Sequence, residues 1–380
     1  MKTLTALALS TLMLHAQPLL EPATQAVEEA LRLHEVAGAV TLVSQEGEIR
    51  HLSSQGAAHL ENGTPMREDA LFWIASMSKP ITAAAVMQQV EAGKLDLDAS
   101  IDRYLPEFKD LKGPDGQPAT ITLRQCLTHT SGMKDLEAGE GADLHTLAEL
   151  TARIGPRPLD FTPGSQWRYC QTSINTAARA VEVASGESFP DYLEKHLFGP
   201  LGMRDTTFYP NEEQASRLAT SYERQEDGSL RAVPLSFLFG KPVTSHDRYP
   251  RGNGGLFSTA RDYHRFALML LGQGELEGHR CLSPESVEAM SSVQTADLQT
   301  GFTPGNGWGI GCCVIQHPQG ITAALSQGSF GHGGAYGTQV WIDPAKQRVF
   351  LLLVQRSNFP NSDGSNLRQA FQNAAAKALE

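Results

Sequence analysis

A serine and a lysine three residues apart carry the strongest chemical signal in the chain. Ser76 and Lys79 lie in the segment FWIASMSK, residues 72–79, directly before a helix-forming run over residues 83–90. Residues at positions i and i+3 share a helix face, so the Lys79 amine can take the proton of the Ser76 hydroxyl. If Ser76 opens the helix, its backbone N–H and the helix dipole favour an oxyanion at the attacked carbonyl. The spacing predicts a serine nucleophile activated by lysine, although the same pattern also occurs by chance on solvated helix faces.

The composition restricts the classes of partner. The chain has 380 residues, of which 41% are hydrophobic, so it can bury a large core as one big domain or two closely packed ones. A formal net charge of −11 argues against nucleic acid and anionic membranes as partners. The five cysteines form no Cys-x-x-Cys pair and have no matched histidine spacing for zinc. We therefore expect a small-molecule substrate, with no metal and no cofactor, and leave the oligomeric state open.

The N-terminus has the pattern of a secretory signal peptide. Lys2 is followed by the apolar run 4–14 and by a possible cleavage site after Ala16. The run is too short to span a bilayer, and no cysteine follows it that would carry a lipid anchor. An ordinary N-terminal helix is the alternative. We expect residues 1–16 to be removed on export, no stable membrane anchor, and a periplasmic or secreted protein.

Strand-like segments lie near both ends of the chain, and helix-like segments lie mostly between them. In order, the sequence predicts a helix at 23–33, strands at 40–44 and 49–53, helices at 123–127, 173–183, 189–197, 262–271 and 284–290, strands at 308–315, 339–342 and 349–354, and a helix at 366–379. Cys312 and Cys313 would then lie on opposite sides of one strand, packed in the core.

This order predicts a mixed α+β fold in which the two chain ends build one sheet around a helical insertion. We assign residues 17–71 and 255–380 to a sheet domain and residues 72–254 to a mostly helical domain, with the active site in the cleft between them. Residues 223–249 are irregular and are a candidate mobile cover over that cleft.

Four further segments resemble the serine β-lactamase and penicillin-binding-protein superfamily, in particular its class C β-lactamase and family VIII carboxylesterase branch. The run LTHTSGM at 127–133 is similar to a loop of that branch, and PGSQWRY at 163–169 resembles the approach to its catalytic tyrosine. GGLFSTARD at 254–262 matches another segment, and GHGG at 331–334 stands where the third motif is expected. The resemblance implies a β-lactamase/transpeptidase-like fold, with an antiparallel sheet flanked by helices.

Carried over position by position, the resemblance implies a nucleophile at Ser76, a lysine at Lys79 and a catalytic tyrosine at Tyr169. It also implies oxyanion donors in the backbone N–H groups of Ser76 and Ala335. The remaining substrate-binding positions that it implies are Gln171, His332, Gly333 and Gly334. Either the neutral Lys79 amine or a Tyr169 phenolate can serve as the base, or the pair shares the proton.

Two positions depart from the usual family pattern. Gln171 stands where the family has asparagine, so it keeps the amide that would contact Lys79 or a substrate amide and adds one methylene. His332 stands where β-lactamases and peptidases have lysine. Histidine is mostly neutral above its usual pKa of about 6.5, so it holds a substrate carboxylate less well than lysine does. The departure favours esters over β-lactams.

The sequence thus predicts a serine hydrolase that cleaves small esters through an acyl-enzyme. A β-lactamase or a D-amino-acid peptidase or amidase is the first alternative. The second alternative belongs to another class, a penicillin-binding or sensor module that is acylated without turning over. An α/β-hydrolase is disfavoured because the chain has no Gly-x-Ser-x-Gly run, and a metallohydrolase because it has no His-Glu-x-x-His run.

Overall fold

The computed structural model of the chain describes residues 20–301, 303–360 and 366–380. The predicted signal peptide, residues 1–16, lies outside the described residues. Within these ranges, none of the helices is both long and apolar enough to cross a membrane.

One large sheet lies at the centre of the fold. The strands are β1 (Gly38–Gln45), β2 (Glu48–His59), β3 (Thr64–Pro65), β4 (Phe72–Trp73), β5 (Tyr222–Arg224), β6 (Leu230–Ala232), β7 (Phe257–Ser258), β8 (Glu275–Leu276), β9 (His279–Arg280), β10 (Asn306–Trp308), β11 (Cys313–Ile315), β12 (Phe330–Gly333), β13 (Gln339–Asp343) and β14 (Arg348–Val354). Eight of them form an antiparallel sheet in the order β10-β11-β12-β13-β14-β1-β2-β3. The two chain ends meet at β1 and β14, where Val40 pairs with Leu353 and Leu42 with Leu351.

Helices cover both faces of this sheet. They are α1 (Glu21–Arg32), α2 (Ser78–Glu91), α3 (Leu123–Leu127), α4 (Leu147–Ile154), α5 (Gln171–Ser185), α6 (Phe189–Leu193), α7 (Gly199–Leu201), α8 (Glu212–Ser216), α9 (Ala260–Leu271), α10 (Pro284–Ser291) and α11 (Asn366–Ala378). On one face, α1 and α11 pack together, and Val27 and Phe371 share an apolar cluster with Val43 of β1. On the other face, α9 packs against β1, β13 and β14.

Helix α2 is the buried core of the helical region. Eleven of its fourteen residues are buried, so it is apolar nearly all round rather than amphipathic. It packs against α5 and α10, and α5 in turn contacts α3 and α4. The side chains at the start of α2 are therefore held rigidly between the sheet and the other helices.

The predicted α+β class and the antiparallel sheet flanked by helices are confirmed. One predicted strand is wrong, because residues 308–315 form the two strands of a hairpin, β10 and β11, with a turn between Trp308 and Cys313. Gly311 in that turn has a φ of +74°, and an added Cβ would lie 2.4 Å from Cβ of Ala83. A glycine is needed there because α2 passes so close.

Other sequence-based expectations have mixed outcomes. Cys312 and Cys313 pack in the two clusters on opposite sides of the sheet, and every cysteine of the described residues is a buried free thiol. The division into a domain at 72–254 and a domain of the two chain ends stays a prediction. Within 223–249 the structure contains the β5–β6 hairpin and a short 3-10 turn, Ser236–Leu238. Mobility of this segment also stays a prediction.

Candidate active site

Ser76 lies in a tight 3-10 turn that leads directly into α2. The turn spans Ala75–Met77, and Ala75 has a φ of +46°, in the left-handed region that non-glycine residues rarely adopt. The Ser78 hydroxyl stabilises this turn, since it donates to the carbonyl of Ala75 at 2.7 Å and accepts the N–H of Leu256. The Ser78 hydroxyl is therefore used to hold the backbone in place. Ser76, in contrast, is half-buried and lines a cavity.

Lys79 is fully buried and its amine contacts three oxygen atoms. Its Nζ lies 2.9 Å from Oγ of Ser76, 2.8 Å from Oε1 of Gln171 and 2.7 Å from the backbone oxygen of Asn253. The oxygens of Gln171 and Asn253 can only accept hydrogen bonds. A neutral amine has two hydrogens, and both are used by these two acceptors. Its lone pair must then point at the third neighbour, the Ser76 hydroxyl.

The environment of Lys79 favours the neutral amine. Burial lowers the pKa of Lys79 to about 7, against the opposing effects of Asp135 and the Cys170 thiol. The Tyr169 ring, whose centre lies 4.6 Å from Nζ, also favours the cation, but burial is the largest effect. Near neutral pH a large fraction of Lys79 is thus able to accept a proton from Ser76.

Tyr169 and His332 form the opposite wall of the site. The Nδ1 of His332 lies 2.7 Å from the carbonyl oxygen of Gly333, so this nitrogen carries the hydrogen. The Nε2 is then an acceptor, and the Tyr169 hydroxyl donates to it at 3.4 Å. Burial raises the pKa of Tyr169 well above its usual range, and a hydrogen bond that the Ser76 hydroxyl could donate to a phenolate offsets this only in part. Tyr169 therefore stays a neutral phenol.

His332 is a neutral imidazole over a wider pH range than the sequence suggested. Burial, and secondarily the nearby Lys79 cation, lower the pKa of His332 to about 3. The expectation that it loses a proton near pH 6.5 is therefore wrong. The physical reason is that only 4% of the residue is exposed and that no carboxylate of the described residues forms an ion pair with it.

Gln171 is positioned by the start of α5. One oxygen of the Asp135 carboxylate accepts from the backbone N–H of Gln171 at 2.7 Å and of Thr172 at 2.8 Å. It also accepts from the hydroxyl of Thr172 and the thiol of Cys170. A carboxylate is favoured at this place because the first N–H groups of a helix lack partners within the helix. The Gln171 amide oxygen also accepts from Nδ2 of Asn253 at 2.8 Å.

The third predicted motif forms a tight turn after β12. An added Cβ at Gly334 would lie 1.9 Å from Oγ1 of Thr338 and 2.7 Å from the oxygen of Ile74, so only glycine fits. The following residue, Ala335, lines the same cavity as Ser76. In the described part of the chain, no protein acceptor is found for the backbone N–H of either residue. Both N–H groups are available to a substrate oxygen.

One cavity brings the predicted site residues together. Its volume is about 190 Å³, and it is lined by Ser76, Tyr169, Gln171, His332, Gly333, Gly334 and Ala335 among others. Lys79 lies behind Ser76 and below this surface. We call it the catalytic cavity. The arrangement provides a nucleophile, a base and two N–H donors within one space, which is what acyl transfer requires.

A model of the Beta-lactamase family matches residues 23–375 of the chain. The chain belongs to the β-lactamase family. Esterase EstB of Burkholderia gladioli is 33% identical over 357 residues, which cover 86% of this chain and 88% of that protein. Penicillin-binding protein 4 of Amycolatopsis lactamdurans is 33% identical over 321 residues, which cover 82% and 78%.

Comparison with a solved structure gives the same β-lactamase fold. EstCE1, described as a hydrolase with promiscuous acyltransferase activity, is 25% identical and has a TM-score of 0.80. The match covers 94% of this chain and 97% of that one. The superfamily and fold implied by the motifs are confirmed, and this member of the β-lactamase family is a serine hydrolase.

Three contributors to this β-lactamase-family site were missed in the sequence. Asn253 acts through its backbone oxygen, and a backbone contact leaves no signal in residue type. Asp135 follows the LTHTSGM run, where an acid without an obvious partner was the available signal. Arg368 of α11 is buried and donates to the carbonyl oxygens of Gly334 and Thr338, at 3.3 and 3.4 Å. It supports the turn that presents Ala335.

Proposed function

We propose that this chain cleaves esters of small acyl groups through an acyl-enzyme on Ser76, with Lys79 as the base. The observation that carries the proposal is the set of three contacts of the Lys79 amine. Two oxygens that can only accept hydrogen bonds direct the lone pair of the Lys79 amine at Ser76. With a pKa of about 7, much of the Lys79 amine is unprotonated at neutral pH. Similarity to Esterase EstB supports an ester as the substrate.

In the proposed acylation step, the Ser76 oxygen attacks the ester carbonyl while its proton moves to Nζ of Lys79. The carbonyl oxygen becomes an oxyanion and accepts hydrogen bonds from the backbone N–H groups of Ser76 and Ala335. The C–O bond to the alcohol then breaks. The departing oxygen takes a proton from Lys79, relayed through the Tyr169 hydroxyl, which leaves an ester on Ser76 and a neutral amine.

In the proposed deacylation step, a water molecule replaces the alcohol. Lys79, again neutral, accepts a proton from this water through Tyr169 as the water oxygen attacks the acyl carbon. The same two N–H groups stabilise the second oxyanion. Ser76 leaves as the alcohol after it regains its proton, and the carboxylic acid product departs. The neutral Tyr169 phenol suits a relay because it can donate and accept at once.

The neutral His332 is the feature that favours esters over β-lactams. A β-lactam carries a carboxylate close to the scissile bond, and an ammonium group would hold it strongly. At a pKa of about 3, His332 offers no cation at any pH where Lys79 is active. An ester without that carboxylate does not bind less well when this position lacks a cation.

The proposal is tested with an organophosphonate that labels activated serines. We expect one covalent equivalent at Ser76 by peptide mapping, and turnover of short-chain aryl esters that Ser76→Ala abolishes. Ser78→Ala is the comparison variant: the label should stay on Ser76, and any loss of rate would come from the weakened turn, because the Ser78 hydroxyl bonds only to backbone groups of Ala75 and Leu256. A label on Ser78, or full activity in Ser76→Ala, would refute the mechanism.

A β-lactam or a D-amino-acid amide is the second candidate substrate. The Gln171 side chain lines the catalytic cavity and can contact a substrate amide, and Penicillin-binding protein 4 is a relative of similar identity. Comparing kcat/KM for an aryl ester and a chromogenic cephalosporin decides between the two. Faster cephalosporin turnover would favour this candidate, and stoichiometric acylation without product release would identify a non-turnover penicillin-binding module.

We also propose that the protein is exported and loses residues 1–16. The basic residue Lys2, the apolar run 4–14 and Ala16 support this proposal. Intact-mass analysis of protein from the cell envelope or the medium tests it. An exported chain that still begins at Met1 would contradict it.

A further inference from the structure

A second cavity lies beside the catalytic cavity, on the far side of Gln171. Its volume is about 360 Å³, and Gln171 lines both cavities. Asn253, whose backbone oxygen holds Lys79, also lines it. Three aromatic side chains, Phe237, Phe239 and Tyr249, contribute to its walls. We call this space the side cavity.

The side cavity contains a cation, Arg251, that packs against aromatic rings and has no carboxylate partner among the described residues. The guanidinium carbon of Arg251 lies 4.8 Å from the ring centre of Tyr249, 5.3 Å from that of Phe239 and 5.8 Å from that of Phe237. In the described part of the chain, no carboxylate lies within 4.0 Å of its nitrogens, and no hydrogen bond of its guanidinium is found. Arg251 is half-buried, and this partial burial lowers its pKa because it removes part of the water around the charge. An anion that enters the cavity would offset that loss.

A second cation, Arg248, lies close enough to Arg251 for the two charges to interact. Arg248 lies over the ring of Phe237, 5.6 Å from its centre, and donates to the backbone oxygens of Phe208 and Val243. Two acids, Asp135 and Glu137, also line the cavity. One oxygen of Asp135 already accepts four donors at the start of α5, and Glu137 is exposed. Neither acid forms an ion pair with Arg251.

The orientation of a substrate follows from the proton path. The alcohol oxygen must receive a proton from the Lys79 and Tyr169 pair, and Tyr169 lines only the catalytic cavity. The carbonyl oxygen must reach the N–H groups of Ser76 and Ala335. The remaining substituent of the carbonyl carbon is the acyl chain, and the side cavity, which meets the catalytic cavity at Gln171, offers space for it.

We propose that the side cavity binds the acyl chain and that Arg251 pairs with a carboxylate at its far end, so that the enzyme selects monoesters of short dicarboxylic acids. This inference rests on the proposed ester hydrolysis. It concerns a carboxylate remote from the scissile bond, unlike the one that His332 would face in a β-lactam. A planar guanidinium held by aromatic rings presents two parallel N–H donors to such a carboxylate.

The test compares aryl monoesters of succinic, glutaric and adipic acid with neutral aryl esters of matched chain length. We expect at least one monoester to have the higher kcat/KM, and Arg251→Gln to lower the monoester-to-neutral ratio about 10–100-fold. Arg251→Lys, which keeps the charge, should retain part of the preference. An equal ratio in the unmodified enzyme and Arg251→Gln, or a preference for neutral esters throughout, would overturn the inference.

Two controls separate the possible failures. If neutral esters are hydrolysed but Arg251 has no effect on the ratio, the side-cavity inference fails and the proposed function stands. If no ester acylates Ser76, the proposed function fails. Esters with the carboxylate on the alcohol part should show no dependence on Arg251, and a dependence there would overturn the acyl assignment. If Arg251→Gln does not fold, the inference can still be tested with the unmodified enzyme. Added salt should lower kcat/KM for the monoesters and leave that for the neutral esters unchanged.

Discussion

At the scale of single residues, the direction of one lone pair determines the proposed chemistry. Lys79 has three oxygen neighbours, and two of them can only accept. The buried phenol of Tyr169 has a raised pKa and is thus a poor base at neutral pH. Of the two bases that the sequence left open, the environment favours Lys79. Tyr169 then passes the proton on rather than removing it.

The Lys79 and Tyr169 pair can be tested by a double-mutant cycle. If the two groups act as one unit, Lys79→Ala, Tyr169→Phe and the double variant should lose similar amounts of kcat, about two to four orders of magnitude each. Single-turnover kinetics with an aryl ester measures all three losses. Losses that multiply in the double variant would mean that the groups act independently.

A second residue-scale prediction concerns His332. Replacing it by lysine would introduce a cation at the position where a β-lactam carboxylate would bind. We expect His332→Lys to raise kcat/KM for β-lactams relative to esters by about 1–2 kcal/mol, the scale of a charge-assisted hydrogen bond. His332→Gln is the neutral control, and a similar change in both variants would rule out an effect of charge.

At the scale of elements, Asp135 links the start of α5 to the pKa of the base. Its carboxylate accepts a hydrogen bond from the backbone N–H of Gln171, and the Gln171 side-chain oxygen accepts one from the Lys79 amine. The negative charge of Asp135 also opposes the lowering of the Lys79 pKa by burial. Lys79 works only when neutral, so kcat/KM should be low below about pH 7 and rise as pH increases through that value.

Replacing Asp135 by asparagine removes the charge and keeps an acceptor for the helix N–H groups. The Lys79 pKa should then fall, so the rise of kcat/KM should move to lower pH, by less than about 1 unit because Asp135 is exposed to solvent. Glu137→Gln, in the same loop, should leave the midpoint in place. A lower kcat at an unchanged midpoint in Asp135→Asn would mean that Asp135 acts through structure alone.

The elements also show what the sequence could and could not reveal. Local periodicity predicted the helix found as α5, and i, i+3 spacing brought Ser76 beside Lys79. The hairpin at 308–315 was hidden because its turn is apolar and its tightness depends on contact with α2. The backbone oxygen of Asn253 reaches Lys79 from 174 positions away, and only the fold could bring them together.

At the scale of the whole molecule, the two chain ends cooperate in building the site. β1 pairs with β14, and α1 packs against α11 on the same face of the sheet. One helix, α11, closes the apolar cluster with Phe371 and supports the turn at Gly334 with Arg368. The position of the Ala335 N–H thus depends on packing at the C-terminal end of the chain.

Phe371 is the residue through which this dependence can be measured. Its side chain is 1% exposed and packs in the cluster with α1 and the sheet, so Phe371→Ala leaves a cavity. We expect a loss of about 3–5 kcal/mol in the free energy of unfolding by urea. Asn373→Ala, on the exposed side of α11, should change it by less than about 0.5 kcal/mol. Because Arg368 lies one turn before Phe371, kcat should also fall in Phe371→Ala at urea concentrations below the unfolding transition. Unchanged stability, or a loss equal to that of Asn373→Ala, would show that α11 does not hold the two chain ends together.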